Sequence, residues 1–125
     1  MSTGIGFVGI GIMGEGMAGR LLSEGVAGSD DKPLIIWNRS GSKCTELAEN
    51  FADKNIVIKD TAREVVEASS VTYSMLSTPE ASRAVFEGDQ GVLAGVSAGK
   101  SLVDCATIAE ADMERMSAAV TEKGG

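Results

Sequence analysis

The sequence predicts an α/β fold, a parallel sheet covered by helices on both sides, and three observations carry that prediction. Short apolar, β-branched runs alternate five times with segments of helical spacing along the 125 residues. The connections between them are short and rich in glycine and small polar residues. The first apolar run, Ile5-Gly6-Phe7-Val8, breaks into Gly9, Gly11 and Gly14 just before a helical pattern begins. That is the start of a Rossmann-type doubly wound unit, in which a strand turns sharply into the helix that follows it. The bland alternative for the glycines alone is a Gly-rich turn with no ligand.

In order along the chain, Met13, Met17, Ala18, Leu21 and Leu22 recur at helical spacing, and Gly25 sits where a left-handed cap would end the helix. Gly28 to Pro33 forms a polar loop. Leu34-Ile35-Ile36-Trp37 has the continuous apolar character of a strand buried on both faces. Cys44, Leu47, Ala48 and Phe51 mark the inner face of a second helix, entered through Ser40 or Ser42 as its N-cap. Ile56-Val57-Ile58 is a third strand, and Thr61 with Glu64 three residues later has the capping-box spacing for a short helix to about Ala68. Val71 to Leu76 reads as the fourth strand, and Thr78-Pro79 as a helix start leading to Ala81, Ala84, Val85 and Phe86. Glycines 88, 91, 95 and 99 allow at most one more helical turn before a fifth strand, Ser101-Leu102-Val103-Asp104. A last helix carries Met113, Met116 and Val120 from about Ala109 to near Lys123.

This length supports one domain, residues 1–125, with a single modest core. A formal net charge of -7 argues against a nucleic-acid partner, because phosphate-backbone binding needs clustered Lys and Arg that this chain lacks. Two cysteines, Cys44 and Cys105, stand far apart, and the chain has no histidine, so no metal site is expected. Reduced, packed thiols suit a cytoplasmic protein. No signal-peptide pattern is seen, and no run approaches the roughly 20 apolar residues of a membrane helix, so no membrane partner is expected.

Right-handed crossovers place the ends of the first, fourth and fifth strands along a common edge, where Gly9 to Gly14, Leu76 to Pro79 and Asp104 to Thr107 converge. In a dinucleotide site of this kind, Gly9 permits the turn, Gly11 admits the pyrophosphate close to the backbone, and Gly14 lets the helix lie against the sheet. The anion rests on the N–H groups at the helix start. NAD sites usually carry Asp or Glu at the end of the second strand, whereas here Asn38, Arg39 and Ser40 follow it. A carboxylate would repel a 2′-phosphate, while a guanidinium and a hydroxyl can hold it, so NADP is the expected cofactor. Asp30 and Asp31 precede that strand and lie at the wrong end of the sheet. A solvated surface side chain is the alternative for Arg39.

Gly6-Phe7-Val8-Gly9-Ile10-Gly11-Ile12-Met13-Gly14, with Met17-Ala18, Leu21-Leu22 and Gly25, resembles the N-terminal signature of the β-hydroxyacid dehydrogenases. Trp37-Asn38-Arg39-Ser40-Gly41-Ser42-Lys43-Cys44 is similar to the NADPH-dependent glyoxylate/succinic semialdehyde reductase branch. Met75-Leu76-Ser77, Gly91-Val92-Leu93 and Asp104-Cys105-Ala106-Thr107 fall in the family's order. The resemblance implies that Gly9, Ile10, Gly11, Ile12, Met13 and Gly14 surround the dinucleotide and that Asn38, Arg39 and Ser40 take the adenosine phosphate. It further implies that Leu76 and Ser77 flank the nicotinamide half, and that Thr107 contacts the cofactor near the substrate. Ala106 and Thr107 occupy the family's substrate-binding Ser-Thr positions, and Ala106 lacks the hydroxyl that helps hold a substrate carboxylate.

On the same resemblance the family's sixth strand, its general-acid lysine and its helical C-terminal domain would follow Gly125, so the sheet reads as incomplete and no catalytic residue is assigned. Lys100 and Lys123 are expected to be solvated at the surface. The implied chemistry is hydride transfer from NADPH to a small aldehyde or keto acid, with a small-molecule carboxylate as partner in the complete enzyme. Two other readings stand beside it: a non-catalytic NADP-binding regulatory or interaction module, and an inactive truncated product. An unpaired fifth strand would favour self-association, a homo-oligomer being one such state.

Overall fold

The computed structural model describes residues 4–10, 12–39, 41–75, 85–97, 100–104 and 117–123. Five strands form one sheet: β1 (Gly4–Val8), β2 (Leu34–Trp37), β3 (Ile56–Ile58), β4 (Ser69–Ser74) and β5 (Ser101–Asp104). The helices are α1 (Ile12–Ser23), α2 (Gly41–Asn50), α3 (Ala62–Ala68) and the single turn α4 (Val92–Gly95). Residues 85–87 and 117–122 are also helical. Every strand pair is parallel, in the order β3-β2-β1-β4-β5. The chain steps outward from β1 to β3 and then returns to the other side of β1, so the direction of winding reverses between β1 and β4. The predicted α/β Rossmann-type sheet of five parallel strands is therefore the observed one.

Period-two alternation with both faces covered explains why β1 and β2 carry no polar side chain. Phe7, Leu34 and Ile36 enter one core layer with Ala18 and Leu22 of α1 and Cys44 and Leu47 of α2. Their neighbours Val8 and Ile35 enter the opposite layer with Val65 and Val66 of α3 and Val92 of α4. In the first layer the rings of Phe7 and Tyr73 stack at 6.2 Å. Phe86, Leu102 and Val120 complete the second.

Local signals fix the helix ends. Val26 N–H donates to Leu21 O (3.0 Å) and Gly25 N–H to Leu22 O (3.3 Å), a Schellman pair closing α1 at a glycine with φ 74°. At α3, Glu64 N–H donates to Thr61 Oγ1 (3.1 Å), and the Thr61 hydroxyl donates to Glu64 Oε1 (3.2 Å), as the Thr-x-x-Glu spacing predicts.

Three details depart from the sequence reading. Strand β4 starts at Ser69, directly after α3, instead of Val71, because Ser69 pairs with Gly4 through its backbone and Ser70 reaches β1 through its hydroxyl. The Ser69 hydroxyl donates to Val65 O (2.6 Å) and the Ser70 hydroxyl to Gly4 O (3.3 Å), while the pairing shifts between Gly4 and Ile5 to absorb the extra residue. The strand ends at Ser74; of the expected extension, Met75 lies beyond it and Leu76 is outside the described residues. Ser42 is the second residue of α2 and so is not its N-cap, and Ser40 lies outside the described residues. Lys100 is half-buried, not surface-solvated: its Nζ donates to Glu67 O (3.0 Å) and Ser69 O (2.8 Å). The ammonium thus meets carbonyls at the negative end of α3. Lys123 is exposed, as expected. The expected helix starts at Thr78-Pro79 and Ala109 fall outside the described residues.

Candidate cofactor-binding site

The site is built from the carboxyl ends of the central strands. Val8 stands opposite Trp37 of β2 and Ser74 of β4, and Ser74 stands opposite Asp104 of β5. The ladder runs one residue further, with Gly9 N–H donating to Trp37 O (2.9 Å) and Met75 N–H to Val8 O (3.0 Å). The chain then leaves the sheet at the point where the winding reverses, the place where open α/β sheets form a crevice.

Gly9 makes the exit turn at φ 97°, a conformation that L side chains avoid. Ile10 follows with its side chain fully buried in the α1–α2 core layer, and its N–H donates to Asn38 Oδ1 at 2.8 Å. What Ile10 can offer a ligand is therefore main chain beyond its own N–H. Helix α1 begins at Ile12, and the N–H groups of a first helical turn have no acceptor within the helix. With the helix dipole behind them they suit an anion. Gly14 is buried in that first turn, where a Cβ would collide with the Gly9 carbonyl oxygen and stand 3.5 Å from the Phe7 ring. Strand end and helix start thus pack backbone to backbone, and these residues fit a dinucleotide pyrophosphate.

At the end of β2 the Trp37 indole N–H donates to Asp60 O (3.1 Å), tying this strand to the loop after β3. Asn38 is half-buried and turned toward the glycine loop. Arg39 is exposed, and among the described residues its guanidinium has no ion-pair or hydrogen-bond partner. The structure thus brings Gly9, Ile10, Gly14, Asn38 and Arg39 to one end of the sheet. Gly11, Ser40, Leu76, Ser77, Ala106 and Thr107 lie outside the described residues, as do the side chains of Ile12 and Met13. The Asn38–Ile10 bond links residues 28 apart and has no local sequence signal.

Cys44 lies beneath this strand end as a free, buried thiol. Burial pushes its pKa up to about 11 from 9.0, partly offset by a hydrogen bond from the Asn38 backbone. A raised thiol pKa favours the folded state fully below pH 9.0, and that contribution disappears as pH rises to about 11. Unfolding titrations should show a loss of about 2–3 kcal/mol across this window. Cys44→Ala should remove that slope, and an unchanged slope in the variant would contradict the assignment.

Compared with known proteins, residues 4–125 match the family described as the NAD binding domain of 6-phosphogluconate dehydrogenase. The chain belongs to this family. Glyoxylate/succinic semialdehyde reductase 1 of Arabidopsis thaliana is 35% identical over 121 residues, 97% of this chain and 38% of the relative. The cytokine-like nuclear factor N-PAC of Danio rerio is 33% identical over 121 residues, 97% of this chain and 24% of the relative. Psf3, solved in complex with NADP+ and 2-OPP, is 28% identical with a TM-score of 0.80, the match covering 96% of this chain and 39% of that one. The chain therefore spans between 24% and 38% of the length of these two curated relatives. The match makes it an NAD(P)-binding domain, as the resemblance implied. No helix among the described residues is long and apolar enough to cross a membrane.

Proposed function

We propose that residues 1–125 form an NADP(H)-binding domain that serves the reduction of a small aldehyde or keto acid, such as glyoxylate or succinic semialdehyde. One observation carries the choice of nucleotide: the end of β2 presents an uncommitted guanidinium, Arg39, where an NAD site presents a carboxylate. In this reading Gly9 to Gly14 cradle the pyrophosphate, and Arg39 with Ser40 holds the 2′-phosphate. Leu76 and Ser77 flank the nicotinamide, and Ala106 and Thr107 lie toward the substrate. A bound nicotinamide would supply the hydride, while this chain's residues bind and orient the cofactor. The Arabidopsis reductase and the NADP+ complex of Psf3 support the substrate class and the nucleotide respectively. The buried free thiol of Cys44 is compatible with a cytoplasmic setting.

Isothermal titration should find NADPH bound about tenfold to a hundredfold more tightly than NADH, the worth of one charge-assisted hydrogen bond. Absence of binding, or a preference for NADH, would overturn the proposal. A second reading, a non-catalytic NADP-binding module, is favoured by Ala106 and by the match to N-PAC, which is named as a nuclear factor. Steady turnover of glyoxylate or succinic semialdehyde by the protein would exclude it.

A further inference from the structure

We infer that Asn38 is a positioning residue that holds the glycine loop in its anion-binding shape and serves both nucleotides alike, an inference that rests on dinucleotide binding at this loop but not on which nucleotide is preferred. Its carboxamide has one acceptor atom, and that oxygen takes the Ile10 N–H at 2.8 Å. The donor is a main-chain N–H, so the atom facing it must be the oxygen. Asn38 follows directly on β2, whose last residue, Trp37, is itself tied to the loop through its carbonyl and to Asp60 O through its indole N–H. Ile10 is held by its fully buried side chain on one side and by Asn38 on the other. Between Ile10 and the end of β1 stands only Gly9, whose N–H is tied to Trp37 O at 2.9 Å.

Two successive N–H groups of the loop are thus donated to the end of β2, one to its backbone and one to a side chain. They are spent on shape, which leaves the anion to the N–H groups further along. Removing Asn38 Oδ1 strands the Ile10 donor and frees a turn whose adjoining residue, a glycine, resists distortion least. The pyrophosphate, common to both nucleotides, would then meet a loop that must be ordered on binding.

The test combines Asn38→Ala and Asn38→Asp with two readouts on the full chain. In Asn38→Ala, NADPH and NADH should each lose about tenfold in affinity by titration, leaving their ratio unchanged. Without any nucleotide, hydrogen exchange at the Ile10 amide should be about tenfold faster. Asn38→Asp keeps an oxygen in reach of Ile10, so amide protection and NADH affinity should stay within about threefold of the parent while NADPH binding weakens. A loss confined to NADPH in Asn38→Ala, or unchanged exchange at Ile10, would overturn the inference. Should Asn38→Ala fail to fold, Asn38→Asp decides: lost Ile10 protection or lost NADH affinity overturns it. Because the exchange readout needs no cofactor, a mistaken choice of nucleotide would show in the parent's affinity ratio and leave this result legible.

Discussion

Arg39→Asp should lower NADPH affinity by about a hundredfold to a thousandfold and leave NADH bound at least as well as before. The lost charge-assisted hydrogen bond accounts for roughly 1.5–3 kcal/mol. The new carboxylate adds repulsion of about 1 kcal/mol or more toward a 2′-phosphate, even when largely solvated. It also supplies the ribose-hydroxyl acceptor that NAD sites place at this strand end. Arg39 is exposed and has no partner among the described residues, so the exchange should leave folding intact, and an unchanged melting temperature without ligand is the control. The deciding measurement is the ratio of the two dissociation constants. If that ratio does not move, the guanidinium is a solvated surface charge and the nucleotide assignment fails.

Gly14→Ala should be the more damaging change, although it adds a single methyl group. The atom that the new Cβ would strike is the main-chain carbonyl oxygen of Gly9, so no side-chain rotation can relieve the contact. Either the first turn of α1 or the turn at Gly9 must shift, at a cost of about 3 kcal/mol or more in stability. The same shift displaces the N–H groups offered to the pyrophosphate, and nucleotide affinity should fall by more than about a hundredfold. Guanidinium unfolding with and without NADPH separates the two effects. The parent should gain about 2.7 kcal/mol at a hundred times its dissociation constant, and the variant should gain almost nothing at the same concentration. A variant that unfolds and binds like the parent would show that the close approach of helix and strand is not needed.

Much of the architecture was legible because it is written in local patterns. The run Leu34-Ile35-Ile36-Trp37 gave β2 with its observed limits, since a strand buried on both faces has no polar residue to interrupt it. Thr61 and Glu64 gave the start of α3, and Gly25 the end of α1, through hydrogen bonds spanning only a few residues. Ser69 and Ser70 misled the reading of β4, because hydroxyls that bond to Val65 and Gly4 look like loop residues when only their polarity is seen. Lys100 misled it for a related reason: its carbonyl partners, Glu67 and Ser69, lie more than thirty residues earlier.

The candidate site divides in the same way. The glycine spacing and the residue types at 38 and 39 point to a dinucleotide and to one bearing a 2′-phosphate. What Asn38 does there was invisible, since a carboxamide after a strand reads as a polar group available to a ligand. Only the packing of β2 beside β1 turns its oxygen onto Ile10.

By itself, then, the sequence determined the alternation of strands and helices, the turn after β1 and the absence of a carboxylate after β2, because each depends on residue type and short-range spacing. The tertiary structure alone decided the pairing register, the bulge that admits Ser70, the seating of Lys100 against α3 and the brace between Asn38 and the glycine loop. These are contacts between distant segments. Their geometry exists only once the sheet has brought the segments side by side, and no local periodicity encodes which side chain will then find which backbone group.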